Sequence, residues 1–192
     1  MNTSLELFIE AAKEIDHPLV LELGTLQSIP GRSTLHKDFV PHHSAWIGTD
    51  IKAGPDVDGV ADVHQLSRFF GKEFFDIIIS CSTFEHFKYP HLAAFEISKC
   101  LKRGGLVFVQ THHCFPLHAY PYDYFRFSTE ALSACFGNNN GVQVISACYE
   151  FPSIISSEEI ENHSDFLNTC YFGRKSMSTP KHYQYDFDTK IL

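Results

Sequence analysis

Hydrophobic positions follow two periods along this chain. Leu5, Phe8, Ile9, Ala12 and Ile15 fall at helical spacing, which predicts an amphipathic helix over residues 4–15, capped by Ser4 and ended at Asp16-His17-Pro18. An apolar run over 19–23 reads as a short buried strand that breaks at Gly24. A short helix is expected over 33–40, stopped before Pro41, and a second strand over 45–50. Residues 52–56 read as a turn, 57–63 as a weakly alternating third strand, and 66–70 as a short helix. The segment 74–80, Phe-Phe-Asp-Ile-Ile-Ile-Ser, is apolar on both faces, as a central parallel strand requires. An amphipathic helix over 91–101 uses Leu92, Phe95, Ile97 and Leu101, with Gly104-Gly105 as its stop, and a fifth strand follows over 106–110.

Residues 111–127 then lose all period and are dense in His, Pro, Tyr and Phe. A long ordered loop inside a compact domain is usually functional. A helix is expected over 129–136, capped by Ser128 or Thr129, then a turn at 137–141 and two more strands over 142–151 and 166–172. Residues 152–165 between them are polar and acidic. Alternating strands and helices followed by two consecutive strands predict an α/β fold: a Rossmann-like, seven-stranded, mostly parallel sheet with helices on both faces and an antiparallel edge hairpin. Residues 1–175 are expected to form one domain, with the first helix as a lid, and 176–192 a polar tail.

Composition narrows the partners. The 192 residues suffice for one domain with a real core. A net charge of −8, with no basic cluster beyond Lys102-Arg103 and Arg174-Lys175, argues against a nucleic-acid substrate. No apolar run reaches the ~20 residues of a membrane span. The first residues show no basic region followed by an apolar core, so no signal peptide is expected. Six cysteines, spread singly without a CxxC pair, read as reduced thiols, and a cytoplasmic location is expected.

The candidate chemistry begins at the strand ends. Gly24 lets the backbone turn sharply and leaves no side chain in a ligand's way. Asp50, at the tip of the second strand, is placed to accept hydrogen bonds from two ribose hydroxyls, so the first fifty residues read as half of a nucleoside-binding sheet. Asp62 stands at the end of the third strand, where it could equally cap the next helix. His112, His113 and His118 precede Asp123, but their spacing fits no standard metal site and no metal is expected.

Taken together, Glu22-Leu23-Gly24-Thr25, Asp50, Asp62, Thr83-Phe84-Glu85-His86-Phe87, Leu101-Lys102-Arg103-Gly104-Gly105 and Tyr120-Pro121-Tyr122-Asp123-Tyr124-Phe125-Arg126-Phe127-Ser128 resemble the class I S-adenosylmethionine-dependent methyltransferases. The resemblance covers roughly residues 18–175. It implies S-adenosylmethionine as cofactor, with Glu22 and Gly24 at its methionine end and Asp50 on the ribose. Ile51 would pack on the adenine, Asp62 and Val63 would sit at its amino edge, and Ser80 and Cys81 near the sulfonium. It also implies an acceptor loop in which His112, Tyr122, Asp123 and Arg126 meet a small molecule; because histidine has a suitable pKa, His113 at the exit of the fifth strand and then His86 are the candidates for a general base. Asp123 and Arg126 could instead pair and brace the loop. The family's glycine-rich turn is reduced to Gly24 and a distant Gly31, which leaves the cofactor carboxylate without an assigned partner beyond Arg32 or Ser33. That thinning motivates an alternative, a methyltransferase-fold binding module without catalysis. The chain lacks the Gly-x-Gly-x-x-Gly of a nicotinamide-dependent oxidoreductase.

Overall fold

The structure, a computed structural model, describes residues 3–156 and 163–183. Seven strands form one sheet: β1 (Leu19–Leu23), β2 (Ala45–Asp50), β3 (Gly59–Val60), β4 (Phe75–Cys81), β5 (Leu101–His112), β6 (Val142–Ile155) and β7 (His163–Lys175). Their order is β3-β2-β1-β4-β5-β7-β6. The first five are mutually parallel, and β7 lies antiparallel between β5 and β6. This is the sheet the pattern predicts, with a longer hairpin. β6 and β7 each run into the acidic stretch, whose residues 157–162 lie outside the described residues, as do 184–192 of the expected tail.

The period of two along the strands divides the core into two layers. Leu21, Leu23, Ile78, Val107 and Val109 face α2 (Leu66–Phe70), α3 (Pro90–Cys100) and α4 (Thr129–Phe136). Val20, Ile77, Ile79, Leu106 and Phe108 face α1 (Ser4–Ala12) and the segment between β1 and β2. Ile77, Ile78 and Ile79 are all fully buried, which is why this segment reads as apolar throughout. Burying each such side chain is worth about 1.5–3 kcal/mol.

Several local expectations are corrected. The first helix ends at Ala12, and Thr3 caps it in a capping box with Glu6. Ser4 is instead buried, 2.9 Å from Ser146 Oγ. No helix spans 33–40; only a 3₁₀ turn forms, at Lys37–Phe39. The Thr34 N–H donates to Asp56 (3.1 Å) and the His36 N–H to Glu22 (3.1 Å), so side-chain acceptors take the donors a helix would need. Hydrogen bonds from Ser33 and Gln27 hold the Asp56 carboxyl below its usual range. The third strand shrinks to two residues. Gly104-Gly105 does not stop α3, which ends at Cys100; the pair forms an irregularity inside β5, with Gly104 at φ +82°. Ser128 is the cap of α4, as one of the two expected residues.

Candidate functional site at the carboxyl rim of the sheet

Because β1 to β5 are parallel, their carboxyl ends share one rim. Along the sheet order the rim runs from Asp62 and Asp50 past Gly24 to Ser80, Cys81 and His112. β1 is flanked by β2 and β4, so the chain switches direction at Gly24, the position where open α/β sheets bind ligands.

Gly24 adopts φ +75°, and its N–H donates to Thr49 O (2.7 Å). A Cβ there would collide with the Thr83 side chain, so what approaches the bare Cα in this structure is Thr83. Thr83 Oγ1 is itself held by Cys81 O at 2.9 Å. Glu22 is buried, and its partners are protein groups: His36 Nδ1 (2.6 Å), the His36 N–H and Trp46 Nε1 (2.9 Å). It ties the β1–β2 segment back onto β1. Arg32, the suggested carboxylate partner, is exposed.

Asp50 accepts long hydrogen bonds from the Leu26 N–H (3.3 Å) and the Lys52 N–H (3.2 Å), and Ile51 beside it is 61% exposed. Asp62 caps the following 3₁₀ turn, accepting from the His64 N–H (3.0 Å) with His64 Nδ1 at 2.7 Å. Burial pushes its carboxyl up, but the His64 contacts outweigh burial and lower it. Val63 is buried in the core. Ser80 Oγ is buried at the end of β4 without a hydrogen-bond partner among the described residues. Burial raises the neighbouring Cys81 thiol well above its usual value, so it stays protonated. Ser82 follows with φ +49°, a left-handed conformation that non-glycine residues hold mainly where the surroundings impose it.

Beyond β5, Asp123 and Arg126 form a double hydrogen bond (2.6 and 2.8 Å), and Arg126 also donates to the carbonyls of Phe115, Pro116 and Phe125. Arg126 holds the Asp123 carboxyl far below its usual range. The pair braces the loop. Tyr122 is exposed. His113 spends Nδ1 on Phe127 O (2.9 Å), and its Nε2 lies 3.3 Å from Asp165. His86 spends Nδ1 on Tyr122 O (2.9 Å).

The residue that sequence reasoning undervalued is Glu85. It is fully buried, and its Oε2 accepts from Thr111 Oγ1 (2.6 Å). Its Oε1 faces His112 Nδ1 (2.7 Å), His86 Nε2 (3.8 Å) and His118 Nε2 (3.9 Å). Burial raises this carboxyl, yet His112 and Thr111 bring it below its usual range. Its position beside His86 in the sequence was visible, but three histidines converging from the turn after β4, the end of β5 and the loop after β5 are a tertiary fact.

Residues 42–109 match the family model described as a methyltransferase domain. No curated protein matches the chain. Among solved structures, the YcgJ protein of Bacillus subtilis is similar, with 18% identity over 91% of this chain and 99% of that one, and a TM-score of 0.62. An S-adenosylmethionine-dependent methyltransferase of Mesorhizobium loti gives 14% identity, coverage of 90% and 98%, and a TM-score of 0.61. A 1,6-didemethyltoxoflavin-N1-methyltransferase of Burkholderia thailandensis, with 1,6-didemethyltoxoflavin and S-adenosylhomocysteine bound, gives 12% identity, coverage of 91% and 77%, and a TM-score of 0.62. The chain shares the fold of these solved structures, and its residues 42–109 match the methyltransferase-domain model.

Proposed function

We propose that this protein transfers a methyl group from S-adenosylmethionine to a small-molecule acceptor. The observation that carries the reading is the rim itself, in which Asp50, Gly24 and Ser80 line up across the switch point beside an aromatic loop. The donor set suits the cofactor: a partly buried Asp50 carboxylate for ribose, an exposed Ile51 for a flat ring, and an unpartnered Ser80 hydroxyl. Glu22 and Asp62 enter this reading as braces of that rim rather than as direct ligands. When bound, S-adenosylmethionine supplies an electrophilic methyl group. The residues of this chain then hold the acceptor nucleophile in line with it and keep water out, and such positioning is worth about 7–11 kcal/mol.

Of the two proposed bases, His86 suits the task better. Its Nδ1–H donates to Tyr122 O, which leaves the lone pair on Nε2. His113 Nε2 is more tightly engaged by a carboxylate, 3.3 Å from Asp165, than His86 Nε2 is, 3.8 Å from Glu85. The acceptor class follows from the loop: Tyr120, Tyr122 and Tyr124 are exposed on it, and aromatic faces suit a sugar or small ring, methylated at oxygen or nitrogen. The ring compound bound to the Burkholderia neighbour is in keeping with this. No helix among the described residues is long and apolar enough to cross a membrane.

Calorimetric titration with S-adenosylmethionine tests the reading, with NAD as control. Saturable binding of the first alone is expected, and Asp50→Ala should weaken it by about 10–100-fold, the worth of hydrogen bonds to a charged group. Silence toward S-adenosylmethionine would overturn it. Tight binding with no methyl transfer to hydroxyl or amine acceptors would favour the non-catalytic module, which Thr83 lying over Gly24 supports.

A further inference from the structure

The Glu85 cluster is more than a loop brace. His112 Nδ1 and Glu85 Oε1 lie 2.7 Å apart, yet neither makes a regular hydrogen bond among the described residues. Both side chains are more than nine-tenths buried, at 9% and 0% exposure. Orphaned buried polar atoms are costly, and two of them facing each other point to a shared third partner. His118 adds a donor: one atom each from Glu85, His112 and His118 all lie within 4.8 Å of one another.

From this geometry we infer that Glu85, His112 and His118 bind one divalent transition-metal ion, against the expectation from sequence spacing. Donors about 2.1 Å from a common ion lie roughly 3.0–3.4 Å apart. The observed separations of 2.7 Å and 3.9 Å from Glu85 Oε1 to the two imidazoles bracket that value. The surroundings match those of a ligated site, in which each ligand is oriented by a further contact. His118 Nδ1 is 3.2 Å from both Pro116 O and Asp123 Oδ2, which turns its Nε2 toward Glu85. The second oxygen of Glu85 is held by Thr111, and the ring of His112 is fixed by stacking on Phe115 at 4.1 Å. The nearby Arg126 charge is already paired with Asp123.

Two imidazoles and one carboxylate select zinc, cobalt, nickel or iron over magnesium or calcium. Three protein ligands leave a coordination position open, as catalytic sites do and structural ones do not. The site sits at the end of β5, next to the rim. On the methyl-transfer reading above, the open position would take an oxygen of the acceptor.

The test uses the full untagged chain, stripped of metal, titrated calorimetrically with Zn²⁺ and with Co²⁺. One equivalent of saturable binding is expected. His118→Ala should weaken it at least tenfold, while Tyr120→Ala, on the same loop and 84% exposed, should leave it unchanged. No saturable uptake by the wild type, or equal affinity in His118→Ala, overturns the site. If His118→Ala does not fold, an anomalous cobalt peak between Glu85 and His112 in soaked wild-type crystals supports the site, and a peak elsewhere overturns it. A parallel titration with S-adenosylmethionine keeps the two readings separate. Metal uptake without cofactor binding would sink methyl transfer and keep the site; the reverse would do the opposite.

Discussion

At the scale of single residues, the rim is built from side chains that hold each other. Gly24 shows how tightly. A side chain at this position meets two penalties: a left-handed backbone, worth about 1–2 kcal/mol for an L-residue, and the Thr83 collision. Gly24→Ala should therefore lose more than the backbone penalty in urea unfolding. Adding Thr83→Gly should restore only the part due to the collision. Equal losses with and without Thr83 would show that the contact carries no energy. The glycine was legible in the sequence, since it ends an apolar run. Its neighbour was not, because Thr83 comes from the far side of β4. Asp62 illustrates the same limit. Both of its readings, ligand and cap, were visible in Asp62-Val63-His64, and the carboxylate caps the turn by accepting from the His64 N–H.

At the scale of elements, α2 and α3 are joined by one buried carboxylate. Glu96 accepts from the Ser67 N–H (2.9 Å) and Ser67 Oγ (2.6 Å), and pairs with Lys99 at 2.6 Å. Burial pushes its carboxyl up, but the Lys99 and Ser67 bonds prevail and hold it below its usual range. A lowered folded-state value means the stabilisation is present above the unfolded value and is lost as pH falls through the folded one. The stability gap between wild type and Glu96→Gln should thus be constant from about pH 7 to about pH 5, then close on further acidification. A gap that widens in acid would contradict the assignment. Elements with strong periodicity were predicted well: β1, β2, β4, α3 and α4 all fall where the apolar pattern puts them. The failure at 33–40 has a local cause. Thr25, Glu22 and Asp56 draw the Thr34 and His36 donors away, and no apolar spacing reports that competition.

At the scale of the molecule, the two ends of the described chain meet. Phe8 of α1 stacks on Phe108 at 5.1 Å and meets the edge of Phe172 at 5.8 Å, while Ser4 touches Ser146 and Cys148. Phe8→Ala should cost about 3–5 kcal/mol of global stability in one cooperative unfolding step. A loss confined to melting of α1 would mean the helix is only a local appendage. Sheet order was readable because parallel strands declare themselves by unbroken apolar runs, and the late hairpin by the absence of a helix between its strands. The convergence of Glu85, His112 and His118 was not readable, since it depends on how a long loop folds back over β4.

The missing helix after β1 has an electrostatic consequence. A helix starting there would aim roughly half a positive charge, from its free N–H groups, at whatever lies beside Gly24. Here the corresponding segment is irregular and its donors are turned inward onto Glu22 and Asp56. A carboxylate arriving at the turn therefore meets no macrodipole. Its charge must be answered by discrete cations or by water, and on the proposed methyl-transfer reading, recognition would shift toward the sugar and base at the Asp50 end of the rim.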